Sequence, residues 1–245
     1  MKRKFLINAI WLFAIILLWP QSVIAGNLPQ KSDGQPKTIL LDPWFGGKEK
    51  GSRIDSKYAK EITLQEAQKI QDLLESEGFK VLYTRRGDDF ITLDQRVMIG
   101  RSKGVNLHLA IKVSKAQSEC IKIVFASPPV KSKQKENQKY TSEELNKQVG
   151  EILDSLLADS IREESQVLGG MIRNKINDQH IVSCVELLRG ADYLLKNAHQ
   201  PTVMIDYRIS PRSDWKSTLD KITNLVAEAI KERYIQRSSK DKDVT

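Results

Sequence analysis

The apolar positions of this chain fall into short runs whose period switches between continuous and helical. "TILLD" (38–42) is uninterrupted in the way a strand buried on both faces is. Residues 61–78 then place Ile62, Leu64, Ala67, Ile70, Leu73 and Leu74 at helical spacing and stop at Gly78, a natural helix terminator. The alternation continues with a strand over 79–85, an amphipathic helix over 92–104, and strands over 105–114 and 120–127, the last closed by Pro128-Pro129. Lysine-rich residues 130–140 carry almost no apolar content and read as a solvated loop. A helix is predicted over 142–164, a strand over 201–209 behind Pro201, a closing helix over 214–237 and a frayed tail over 238–245. Between 166 and 192 the pattern is irregular and no element is assigned.

Strands alternating with helices predict a single α/β domain over 38–237, with a mixed, mostly parallel sheet of about six strands and helices on both faces. Ligands of such sheets bind at the carboxyl ends of the strands. Three of these ends stand out: Asp42 to Phe45, Ala110 to Lys112, and Ile205 to Asp206. The first raises a question, because between Asp42-Pro43 and Gly46-Gly47 the rim loop offers two large rings, Trp44 and Phe45, where a polar group is usual.

The amino terminus changes the picture of where the protein works. Lys2, Arg3 and Lys4, an apolar run from Phe5 to Trp19 and small residues up to Ala25 follow the grammar of a secretory signal. The run is short for a membrane span, so cleavage after Ala25 is expected, with retention as an anchor the alternative. Residues 26–37 then form a linker, and the exported part is periplasmic or extracellular, meeting the membrane only transiently through the signal segment. The chain's formal charge is +8, which falls to about +5 without the signal and suits anionic envelope polymers. Nothing points to nucleic acid. Cys120 and Cys184 could form one bridge in an oxidising compartment, or Cys120 could be a small buried hydrophobe. His108, His180 and His199 lack ligand spacing and read as surface or structural residues.

"ILLDPWFGGKEKG", the helix–strand–Thr-Arg–helix–strand order of residues 73–112 and "LLKNAHQPTVMID" together resemble the zinc-dependent N-acetylmuramoyl-L-alanine amidases of type 3. These cut peptidoglycan between muramic acid and the first alanine of the stem peptide. The resemblance implies an amidase-like, phosphorylase/hydrolase-like fold. It also implies a zinc site of two histidines and a glutamate, with a second glutamate acting on the metal-bound water. Carried over, the first histidine falls on Phe45, the ligand glutamate on Glu61, the second histidine on Lys112 and the catalytic glutamate on Asp206. A benzyl ring has no lone pair and an ammonium offers only donors, so zinc is expected to be lost and no cofactor is expected in its place. Lys112 is expected to replace the metal's charge by pairing with Glu61 and also Asp206; the alternative is that it snorkels into water.

Three functions follow. The first is a non-catalytic module that binds peptidoglycan through Trp44, Phe45, Lys112, Arg208, Glu61 and Asp206. The second is a regulatory or scaffold protein that binds another envelope protein. The third is an active amidase with an atypical site. For the aromatics the alternative to binding is plain packing, with Phe45 filling the volume left by a histidine and its metal.

Overall fold

The computed structural model describes residues 36–102, 104–129, 142–211 and 213–240. The segment expected to be a secretory signal, most of the expected linker and the lysine-rich stretch read as a solvated loop lie outside the described residues. Among the described residues, eight strands and five helices follow in order: β1 (Thr38–Pro43), β2 (Arg53–Ile54), β3 (Lys57–Tyr58), α1 (Ala59–Glu75), β4 (Lys80–Tyr83), α2 (Leu93–Ser102), β5 (Leu107–Lys115), β6 (Cys120–Phe125), α3 (Ser142–Asp178), β7 (Val185–Arg189), α4 (Tyr193–Lys196), β8 (Thr202–Ile209) and α5 (Trp215–Lys240).

Six strands form one sheet in the order β4-β1-β5-β8-β6-β7, and β2 and β3 form a separate small ribbon. Parallel pairing holds from β4 through β8, while β6 runs antiparallel to β8 and pairs parallel with β7. The expected mixed, mostly parallel sheet of six strands is therefore the architecture found. The carboxyl ends of β1, β5 and β8 share one rim, and the reversed direction of β6 brings its first residue, Cys120, to that rim opposite Arg208.

The two sheet faces are covered unequally. One carries the main core, in which Ile39, Leu41, Leu109, Ile111, Ile123 and Ile205 meet the apolar stripes of α1, α5 and the carboxyl half of α3. The other carries a smaller cluster, where Ala110 and Met204 meet Ile161 of α3 and Leu194 and Leu195 of α4, with Trp44 and Val97 at its edge. Ladder registry puts Lys112, Asp206, Lys122 and Glu186 side by side in one cross-strand row. Alternation along each strand sends that row to the second face, away from the main core.

Three expectations are corrected. The helix predicted over 142–164 runs on to Asp178. The stretch read as irregular holds the rest of that helix and the edge strand β7, and the short helix α4 begins just beyond it. The closing helix extends to Lys240, three residues into the segment expected to fray.

Candidate functional site

The rim loop after β1 is fixed from beneath. Asp42 is fully buried. Its Oδ1 accepts hydrogen bonds from Thr84 Oγ1 at 2.5 Å and from Arg96 Nη1, and its Oδ2 lies 3.2 Å from His108 Nε2. Burial alone would raise the Asp42 pKa, but the hydrogen bond to His108, the Arg96 charge and the remaining contacts outweigh it and hold the carboxyl below its ordinary value. His108 is thus a structural residue, closed on its other ring nitrogen by Gln200 at 3.4 Å.

Two arginines then collect the carbonyls of the turning chain. Arg85 donates to Pro43 O at 3.0 Å, Trp44 O at 3.1 Å and Lys60 O at 2.8 Å, and Arg96 donates to Phe45 O at 3.2 Å. Burial and the neighbouring Arg96 charge pull the Arg85 pKa below its usual value. The far side of the loop is held by Gly47 N–H donating to Asp88 Oδ1 at 2.8 Å, while Lys60 Nζ bridges Gly47 O and Asp88.

Trp44 and Phe45 diverge from this frame to opposite sides of the sheet. Trp44 packs into the smaller cluster, with the Arg96 guanidinium 4.8 Å from its ring centroid. Phe45 turns towards the main core with φ of 67°, a left-handed conformation uncommon for a bulky residue. Both rings are half-buried rather than projecting. A Cβ built on Gly51 would lie 2.7 Å from Ala59 Cβ and 2.8 Å from the Phe45 ring, so these three positions close on one another. Packing accounts for Phe45, and the exposed aromatic surface suggested by the sequence is reduced to the edges of two wedged rings.

Glu61 does not join them. Residues two apart on a helix point about 200° apart, and the first turn of α1 buries Ala59 in the main core while leaving Glu61 exposed. The Glu61 carboxylate folds back to accept from Tyr58 N–H at 2.7 Å, closing a capping box. The expected pairing of Lys112 with Glu61 is therefore not made. Among the described residues Lys112 Nζ reaches only Asp206, at 3.8 Å, with the two side chains 33% and 15% exposed. Asp206 Oδ1 also accepts from Ser114 Oγ at 2.7 Å.

Lys112 and Asp206 continue into residues that the sequence reading missed. Lys122 stands beside Asp206 in the ladder and pairs with Glu186 of β7 at 3.1 Å. The result is a row of alternating charge across four strands. Arg208 lies one step towards the rim, between Ser114 and Cys120. Cys120 is bonded to Cys184, with Cα atoms 4.6 Å apart, tying the start of β6 to the approach of β7 beside the row. The available signal was Lys122 itself, a cation inside the otherwise apolar "CIKIVF", which marks a sheet face open to water.

These side chains do not fit a catalytic zinc. Phe45 has no donor, Lys112 is a cation directed at Asp206, and Glu61 is turned to its own helix cap. Among the described residues, one group of three potential ligands gathers within 4.8 Å: Cys120, Cys184 and Glu186. Its two sulfurs are joined to each other.

A six-stranded mixed sheet with a rim loop held by buried Asp42 and helices on both faces defines an amidase-type α/β domain. The chain belongs to the N-acetylmuramoyl-L-alanine amidase family of type 3, whose model matches residues 39–233. The probable cell wall amidase LytH of Staphylococcus aureus is 38% identical over 81 residues, 32% of this chain and 28% of that protein. The matched segment thus spans little more than a quarter of that relative's length. Among solved structures, the catalytic domain of the amidase CwlV from Bacillus (Paenibacillus) polymyxa superposes with a TM-score of 0.59 at 15% identity, covering 80% of this chain and 97% of the other. The CwlD amidase of Clostridioides difficile, solved in complex with the GerS lipoprotein, gives 0.58 at 19% identity, covering 80% and 98%. At these identities the structural likeness establishes the fold.

Proposed function

We propose that this protein is an exported, non-catalytic member of its family that binds peptidoglycan, with an envelope protein as the alternative partner and no cofactor. The observation that carries this reading is the donor set at the rim. The positions where the family resemblance expects ligands hold a ring, an ammonium and a carboxylate turned to a helix cap. Without a metal to lower the pKa of water towards ~7, the hydrolytic route has no nucleophile.

Three further observations support a binding role outside the cytoplasm. The joined Cys120 and Cys184 suit an oxidising compartment. The family's cell wall amidases act on a polymer of that compartment. The alternating row Lys112–Asp206–Lys122–Glu186, with Arg208 above it, offers both signs of charge to stem peptides, which carry carboxylates and amines on one short chain.

The test is co-sedimentation of the purified protein with sacculi. The wild type pellets, and the triple variant Lys112→Ala, Lys122→Ala and Arg208→Ala loses most of the bound fraction while keeping its circular dichroism spectrum. Failure to pellet, with capture of a defined envelope protein that the triple variant no longer binds, would shift the reading to the scaffold role. Chelator-sensitive release of soluble peptide would overturn it in favour of an active amidase.

A further inference from the structure

Two charged side chains at the rim end of β8 keep hydrogen-bonding capacity that the protein does not use. Asp206 and Arg208 are two residues apart on one strand, so they leave the same face, while Tyr207 and Ile209 turn into the main core. Both are half-buried. Asp206 Oδ1 is filled by Ser114 Oγ at 2.7 Å. Among the described residues its Oδ2 accepts no hydrogen bond, since Lys112 Nζ stays 3.8 Å away, a contact of charge only. Arg208 carries five N–H donors, and among the described residues its side chain has no hydrogen-bond or ion-pair partner. Its ladder neighbours are Ser114 and Cys120, neither of them an acid. The carboxylates that could have taken it are engaged elsewhere: Glu186 is held by Lys122 at 3.1 Å, and Glu119, which lines the same cleft as Arg208, accepts from Ser213 Oγ.

An open carboxylate oxygen and an open guanidinium on one face complement an ammonium and a carboxylate held on one carbon. Alternate residues of a strand lie about 6.7 Å apart. An aminocarboxylate head with a charge-assisted hydrogen bond of about 2.8 Å on either side of it spans about that gap. A lone carboxylate would fill Arg208 and set like charge against Asp206, and a lone amine would leave the guanidinium empty beside it. Given a rim that binds peptidoglycan, the reading on which this depends, we propose that Asp206 and Arg208 select stem peptides by the end of their diamino-acid side chain. The preferred end is an aminocarboxylate, as in diaminopimelate, over an amine alone, as in lysine. Arg208 takes the carboxylate through its fork of donors, Asp206 Oδ2 takes the amine, and Ser114 holds the Asp206 carboxylate in place for it.

The test is calorimetric titration of the purified protein with synthetic tripeptides: alanine and γ-linked glutamate followed by meso-diaminopimelate, by lysine, or by diaminopimelate with its side-chain carboxylate amidated. The first is expected to bind at least about tenfold more tightly than either of the others. Arg208→Gln should bring all three within about twofold of one another, because it removes the group that reads the carboxylate. Asp206→Asn should weaken the diaminopimelate peptide by about tenfold. Both variants should keep the wild-type circular dichroism spectrum. Equal wild-type affinities, no binding of any tripeptide, or a preference that survives Arg208→Gln would overturn the proposal. If the protein still pellets with sacculi in that event, wall binding stands without this selectivity; if it does not, both fail. Free diaminopimelate bound as tightly as its tripeptide would also overturn it, assigning the pair to a free amino acid.

Discussion

Replacing Arg96 by methionine removes the cation that keeps Asp42 charged beneath the rim loop. Both side chains are essentially out of water, 2% and 0% exposed, so solvent screening does not soften the loss. Removing one partner of such a pair costs about 3–5 kcal/mol, because the remaining charge stays buried without compensation. For a domain of about 200 residues each kcal/mol lowers the melting temperature by about 2–4 °C, so Arg96→Met should melt about 6–20 °C below wild type. Adding Asp42→Asn removes the stranded charge, and the double variant should recover at least about 1 kcal/mol of the loss. The assay is thermal unfolding by circular dichroism at pH 7. A melting temperature within about 2 °C of wild type, or a double variant no more stable than the single, would refute the role assigned to this network. The pH dependence has a definite sign. Because the folded Asp42 pKa lies below the ordinary 3.8, its stabilising contribution is complete above that value and disappears as pH falls through the lower folded pKa. Arg96→Met should therefore flatten the acid limb of the stability curve.

Other perturbations address the neighbouring elements. Gly51 has φ of 67°, and a Cβ there would strike Ala59 and the Phe45 ring, so Gly51→Ala should cost at least about 1–3 kcal/mol in denaturant unfolding. Cys184→Ser opens a link spanning 64 residues and should lower stability by about 4 kcal/mol on the chain-entropy account. In that variant a reducing agent should no longer shift the melting curve. Lys112→Ala removes only a long, part-exposed contact with Asp206, so it should change stability by less than about 1 kcal/mol. That is far below the effect expected for a buried Lys112–Glu61 pair.

The fold was legible because its strands are short, continuously apolar and separated by helical periods, as in "TILLD" and residues 61–78. The carboxyl half of α3 escaped because Gly169-Gly170 looks like a break. In the structure the first of these glycines lies against the sheet, where a Cβ would lie 2.9 Å from Leu187 Cδ1 of the edge strand and 3.3 Å from Ile123 Cγ2. Helix and strand hide one another in the sequence because each makes sense only against the other. The aromatic pair misled for a related reason. Adjacent residues at the end of a strand point to opposite faces, so Trp44 and Phe45 enter two different clusters instead of one exposed surface. Glu61 was misplaced by helical phase, two positions from Ala59, the residue of that first turn that enters the main core. The Asp42 network joins residues 42, 84, 96 and 108 across two strands, the bend after β4 and a helix, and no local pattern announces it.

The most direct test of the account is the metal content of the purified protein, measured by elemental analysis after dialysis against micromolar zinc and then buffer. A rim that holds Phe45 and Lys112 at the ligand positions, with Glu61 turned to its helix cap, predicts zinc far below one per chain, unchanged when Glu61 is replaced by glutamine. One zinc per chain, lost on Glu61→Gln, would contradict it.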